Sequence, residues 1–354
     1  MSARTYLGLA LMMSAVGLTA CGGSPSTPSE TPTDAAAADS TAAAADGEAG
    51  TTMSSSTGAT DASSVPDVSL GTCENSMIVA GPNMGWKIAG QTRSFYAALP
   101  KSTTAPTAVI FQWHGAGDTA SNFKSFIDVD PDADPSFPFV LITPESLSLQ
   151  PIGGAKAGLE WDLFQAGPGV TNLDLAFFDG ILACLATQVK VDTGHIYSVG
   201  FSAGAIMTDL IASSRPGLIA ATYAASGAWF NDKAEADSVS TGPLPKPTLS
   251  WPALVPTDHG TAIISHGGPS DAYSVSGITI LNFENAAKSA FPFLQAAHRT
   301  TLDCPHTMGH QPNPNLTGAK VVSFLKAHTA GADSPWISAG LPTELSSFCT
   351  LNAP

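Results

Sequence analysis

One pentapeptide restricts this 354-residue chain more than any other feature: Gly200-Phe201-Ser202-Ala203-Gly204, a Gly-x-Ser-x-Gly run. Such a run makes a tight turn between a strand and a helix. The serine stands at its apex, and glycines flank it because a side chain there would collide with the neighbouring strand and helix. The turn lifts the Ser202 hydroxyl out of a sheet, where a histidine can reach it, and turns the amide of Ala203 toward the same space. The flanks have the required character. His195-Ile196-Tyr197-Ser198-Val199 is short, apolar and built of β-formers, and residues 205–212 have helical composition. The competing reading is a Gly-rich turn in an α/β domain.

The N-terminal end carries a targeting pattern. Arg4 is the sole early charge, and the apolar run over residues 6–20 is short for a membrane span but suits a signal-peptide core. It closes on Leu18-Thr19-Ala20-Cys21, then Gly22. That resembles the bacterial lipobox, in which the cysteine is lipidated and becomes the mature N-terminus; ordinary cleavage near Ala20 is the alternative. Residues 1–20 therefore read as a lipoprotein signal peptide. Residues 21–66 read as a disordered tether of Ser, Thr, Ala, Gly and Pro, with six acids (Glu30, Asp34, Asp39, Asp46, Glu48, Asp61) and no Lys or Arg. Acyl chains on Cys21 hold a protein on a membrane without a spanning helix. The expected location is the bacterial cell envelope, at its periplasmic face or the cell surface, or else outside the cell.

Residues 67–354 remain for one folded domain, with no internal linker or repeat. The formal net charge of −15 argues against nucleic acid as a partner. With Cys21 given to lipid, Cys73, Cys184, Cys304 and Cys349 are left. Their spacings suit no zinc site, and two disulfides in an oxidising compartment are the economical reading. Four cysteines permit three pairings; Cys73 and Cys349 lie near the ends of the domain, so the pairing favoured among them joins these two, stapling its termini, and leaves Cys184 with Cys304.

Strand-like and helical runs alternate along this domain. Strands are expected over residues 94–99, 107–113, 138–142, 195–199, 219–225 and 261–265. Helices are expected over 173–189, 205–212, 281–298 (with a break at Pro292) and 316–328, the last being the final element. This is the pattern of a mostly parallel central sheet with helices on both faces, which gathers reactive residues at the carboxyl ends of its strands.

Three loops at such ends carry chemistry. The strand over 107–113 runs into His114-Gly115-Ala116-Gly117, small residues whose amides can face a substrate oxygen; Ala116 N–H and Ala203 N–H are the expected oxyanion donors. The strand over 261–265 runs into His266-Gly267-Gly268-Pro269-Ser270-Asp271, and Asp271 suits a carboxylate that orients an imidazole. Asp258 precedes that strand, at the wrong end, and Asp303 is a rival near the candidate histidine in sequence. The base is expected last, in Cys304-Pro305-His306-Thr307-Met308-Gly309-His310. His310 leads because Gly309 lets it fold over the elbow, and His306 follows. A metal held by Cys304, His306 and His310 lacks a fourth ligand nearby, so none is expected. His298 sits on a helical stretch and reads as a surface residue. Trp161, in a loop on the correct side of the sheet, is the chosen substrate contact. His114 is placed beside the substrate or in a structural role, while Trp113 and Trp229 are divided between pocket and core.

With GFSAG after its strand, HGAG upstream, HGGPSDAY and then CPHTMGH before FLKAH, the chain resembles the secreted polyhydroxybutyrate depolymerase and feruloyl esterase-like α/β-hydrolases over roughly residues 90–330. The resemblance implies an α/β-hydrolase fold and an ester hydrolase acting outside the cytoplasm without a cofactor. It also implies a small-molecule or polymer ester as substrate, with Ser202, Asp271 and His310 as the triad; a monomer is expected. Two departures stand out. The late-strand His-Gly-x-x-Asp carries one extra residue here, and Phe201 and Gln311 replace the cysteines that join nucleophile and base in tannase-type relatives. A peptidase or amidase on the same fold, and a catalytically inactive surface-binding lipoprotein, are the alternatives.

Overall fold

The computed structural model describes Leu70 and residues 72–101, 105–147, 160–163, 171–240, 249, 251–275 and 277–354. The expected signal peptide and tether, Cys21 included, lie outside the described residues. Among the described residues, no helix is long and apolar enough to cross a membrane.

Eleven strands and eight helices follow one another along the described chain. The strands are β1 (Gly81–Ile88), β2 (Gln91–Ala98), β3 (Thr107–Trp113), β4 (Phe139–Pro144), β5 (Val191–Phe201), β6 (Ala221–Ala225), β7 (Thr261–Ser265), β8 (Ala272–Val275), β9 (Ile278–Asn282), β10 (Thr300–Asp303) and β11 (Thr350–Asn352). The helices are α1 (Ala120–Phe123), α2 (Leu173–Leu185), α3 (Ala203–Ser214), α4 (Lys233–Ser238), α5 (Phe283–Ala296), α6 (Gly318–Lys326), α7 (Trp336–Ala339) and α8 (Thr343–Ser346). Nine strands form one sheet in the order β1-β2-β4-β3-β5-β6-β7-β10-β11. The run from β4 to β10 is parallel, whereas β1–β2, β2–β4 and β10–β11 are antiparallel. The hairpin β8–β9 stands apart from it.

Burial explains why the inner strands read as unbroken apolar runs. Every residue of β3, β4, β6 and β7 is buried, because helices cover both faces of a parallel sheet. Side chains alternate between two cores. Val109, Phe111 and Trp113 of β3 join Phe177, Phe178 and Ile181 of α2, Ile206 and Leu210 of α3, and Leu294 of α5. Ala108 and Ile110 point the other way, to Tyr197, Tyr223 and Ile263 and to Val321, Phe324 and Leu325 of α6.

Three expectations are corrected. First, α5 runs through Pro292 without a break. The proline is exposed, so water can take the carbonyl bond it forfeits, and the buried face of Ala286, Ala287, Ala290 and Leu294 carries the helix past it. Second, α6 is not the final element: α7, α8 and β11 follow, and β11 adds to the sheet edge beside β10. Third, the bridges are Cys73–Cys184 and Cys304–Cys349, with Cα atoms 4.5 and 4.2 Å apart. The expected pairing of Cys73 with Cys349 fails on distance. Cys73 leads into β1 and Cys349 into β11, the two outermost strands. Strands spaced about 4.8 Å apart put those edges roughly 38 Å from each other, whereas a disulfide needs Cα atoms within about 7 Å.

Candidate active site

Ser202 sits between β5 and α3 with φ 55° and ψ −122°, a backbone conformation that is costly for any residue with a side chain. The surroundings enforce it. A Cβ on Gly200 would stand 2.3 Å from the carbonyl oxygen of Gly204, and one on Gly204 would stand 2.0 Å from that of Trp113. Strand, turn and helix close on each other only because both positions are glycine. The Ser202 amide donates to the Ala225 carbonyl, 2.9 Å away, tying the turn to β6.

The structure brings Ser202, His310 and Asp271 together. Ser202 Oγ lies 2.9 Å from His310 Nε2, and His310 Nδ1 lies 2.7 Å from Asp271 Oδ1. A carboxylate only accepts, so Nδ1 carries the proton and donates it; Nε2 is left with the lone pair that accepts the serine hydroxyl. Asp271 is fully buried. Its second oxygen accepts from the Gly267 amide and the Ser226 hydroxyl, each at 2.8 Å. The His310 loop rests on the loop after β7: His306 N–H donates to His266 O and Gly309 N–H to Gly267 O. A Cβ on Gly267 would fall 1.8 Å from Gly309 O, so this second glycine also sets a close backbone approach. The imidazole stacks on Phe283 (ring centroids 4.8 Å apart, planes 12° apart) and touches Phe201 at 4.9 Å. Phe201, the neighbour of Ser202 in the chain, thus packs directly on the His310 ring.

The rivals lie elsewhere. His306 turns its Nδ1 to the amide of Met308, and burial lowers its pKa. Asp303 faces His266 across 3.4 Å. Asp258, at the opposite end of β7, pairs with Arg299 in the interior. His298 is exposed beyond the C-terminal end of α5. Among the described residues no group of three or more His, Cys, Asp or Glu could hold a metal.

The loop after β3 lies against Ser202. A Cβ on Gly115 would meet Ser202 Cβ at 3.3 Å, and Ala116, the next residue, is exposed. Ala203 opens α3, where an amide has no helical carbonyl to bond. Two expected substrate contacts are corrected. Trp161 is only 1% exposed, and it donates from Nε1 to the carbonyl of His114 at 2.9 Å. His114 is wholly buried. Both therefore sit behind the loop, where the indole fastens its backbone, and neither offers a face to a substrate. Trp113 and Trp229 are likewise core residues.

Sequence reasoning missed Ser226, Phe283 and Gly267. Ser226 and Phe283 act through contacts between segments distant in the chain, and no local pattern marks them. Gly267 stood in plain view in His266-Gly267-Gly268, but its partner Gly309 is 42 residues away in the numbering.

This sheet, with an elbow serine after its central strand, an acid after β7 and a histidine after β10, is the α/β-hydrolase fold. Solved structures share it. A pOPH variant in complex with DMSO superposes with a TM-score of 0.63 at 18% identity, covering 81% of this chain and 97% of that one. Native sOPH gives 0.59 at 17%, over 81% and 98%. Among curated proteins, feruloyl esterase D of Neurospora crassa is 30% identical over 151 residues, which is 42% of this chain and 50% of the relative. The chain thus spans about half the length of that relative. No protein-family model matches.

Proposed function

We propose that this chain is an extracytoplasmic carboxylic ester hydrolase that works through an acyl-enzyme on Ser202. One observation carries the reading: the unbroken hydrogen-bonded line from Ser202 through His310 to buried Asp271. The fold and the partial likeness to a feruloyl esterase support it.

His310 Nε2 takes the hydroxyl proton as Ser202 Oγ attacks the ester carbonyl carbon. Asp271 holds the imidazole in the tautomer that accepts this proton and stabilises the imidazolium that forms. The amides of Ala116 and Ala203 receive the developing oxyanion, each worth about 10²–10³-fold in rate. The proton passes to the departing alcohol, and water then enters by the same route, giving the acid and free Ser202. The atoms balance with water alone, so no cofactor is called for. Short aliphatic esters, hydroxyalkanoate oligomers and hydroxycinnamate esters are the substrate classes proposed, with hydroxycinnamates placed first because of the feruloyl esterase likeness.

Export belongs to the same proposal. Two disulfides favour an oxidising compartment, and Cys21 is the proposed lipid site. Mass spectrometry of the mature N-terminus distinguishes a lipidated Cys21 from plain cleavage. The catalytic claim is tested with p-nitrophenyl acetate, p-nitrophenyl butyrate and methyl ferulate. Turnover is expected, and Ser202→Ala should lower it at least about 10⁴-fold with the thermal midpoint held. Equal turnover by the variant would refute the mechanism.

A further inference from the structure

Asp271 turns only one oxygen to His310; what restrains the other decides how firmly the imidazole is aimed. That oxygen, Oδ2, has two donors, the Gly267 amide and Ser226 Oγ. Ser226 is the first residue after β6, the strand between the elbow strand and the acid's strand. Its amide donates to Ser265 O, the last carbonyl of β7, at 2.8 Å, while the preceding carbonyl, Ala225 O, receives the amide of Ser202. Backbone bonds on either side of Ser226 thus connect nucleophile and acid.

Its conformation is unusual for its type. Ser226 has φ 59°, in the left-handed region where glycine is at ease and a side chain is strained. It is 1% exposed, so its hydroxyl has no solvent to turn to. The neighbouring segment is pinned as well: Asp209 Oδ2 accepts from Ala228 N–H, and Glu235 Oε1 accepts from Trp229 N–H. A buried residue held in that region persists because its surroundings fix it, and such residues cluster at functional sites.

We infer that Ser226 is a positioning residue of the triad: its hydroxyl locks the Asp271 carboxylate in rotation so that Oδ1 stays on Nδ1 of His310 while the proton moves. The inference rests on the ester-hydrolase reading given above. With the hydroxyl gone, only Gly267 restrains Oδ2, and the carboxylate can swing away from the imidazole.

Ser226→Gly removes the hydroxyl and relieves the backbone; Ser226→Ala removes the hydroxyl alone. Both should lower kcat for p-nitrophenyl butyrate about tenfold, the effect of a lost hydrogen bond to a charged group, with KM within about twofold of the parent. Labelling of Ser202 by a fluorophosphonate should slow in step. The low-field proton resonance of His310 Nδ1–H should shift or broaden in both variants, and Ser226→Gly should melt no lower than Ser226→Ala. Parental kcat, labelling rate and resonance in Ser226→Gly would overturn the role. Should the parent protein hydrolyse none of the esters, the ester-hydrolase reading falls, and the resonance still decides: moved in the glycine variant, it supports the role of Ser226; unmoved, it removes it.

Discussion

The proposed nucleophile and the proposed base of this site are held by different means. Ser202 is fixed within a stretch of five residues, between a strand and a helix that touch at Gly200 and Gly204. His310 and Asp271 come from two loops carried by the strand pair β7–β10 and joined by a few backbone bonds, with Phe283 and Phe201 packed on the ring. The first arrangement is local and lies deep in the core. The second depends on contacts between distant segments and is partly open to solvent, His310 being 27% exposed. Damage to the first should therefore appear as lost stability, and damage to the second as lost catalysis in a protein that still folds.

Asp271→Asn tests that contrast most severely. The amide group would present a donor to Nδ1 or favour the wrong tautomer, so kcat should fall about 10⁴-fold, with far-UV circular dichroism unchanged. A loss of only tenfold would mean that the carboxylate does not set the tautomer. The two glycine contacts give a matched pair. Gly204→Ala drives a methyl into the Trp113 carbonyl and should cost about 3 kcal/mol or more of stability, read as a drop in the urea midpoint. Gly267→Ala drives one into Gly309, displaces the base loop and should cost about 10²-fold in kcat with a smaller shift in midpoint. If the two variants exchange signatures, the contrast is wrong.

A smaller effect comes from behind the nucleophile strand. Tyr197 of β5 donates to the His328 carbonyl. The His328 ring donates from Nδ1 to Phe324 O and accepts at Nε2 from Ser334, an arrangement that suits the neutral form. Burial depresses its pKa to about 4. Unfolded chains take up the proton below about 6.5 while the fold resists it, so stability is complete above that pH and is lost as pH falls toward 4. The loss should be at most about 3 kcal/mol, measured by urea titrations from pH 7 to 4. His328→Gln should flatten that slope; an unchanged slope would assign the acid sensitivity to other groups.

Much of this was legible in the chain. The bounds of β3 and β7 were read as they stand, because strands buried on both faces have continuous apolar runs. The Gly-x-Ser-x-Gly run, the place of Asp271 after a late strand and the Gly309 neighbour of His310 singled out three residues that the structure brings within hydrogen-bond distance. Hidden from view were β1, β10 and β11 and the hairpin β8–β9. β10 is largely buried but only four residues long and half threonine, and the others are edge or hairpin strands whose partly exposed residues carry a weak pattern. The cysteine pairing needed the width of the sheet, which no spacing reveals. Trp161 was misjudged because side-chain direction in a loop follows packing: its indole was aimed at a carbonyl by Trp113 and His114.

The placement of the two bridges has a consequence for how the sheet resists unravelling. A sheet frays from its outermost strands, where one side of the ladder has no neighbour. Here a covalent link stands beside each outermost strand, from the lead-in of β1 to α2 and from the end of β10 to the start of β11. The middle of the sheet, which bears Ser202, is held without a covalent link, by ladder hydrogen bonds and packing. Reinforcement has gone to the margins, the places from which unravelling would otherwise travel inward.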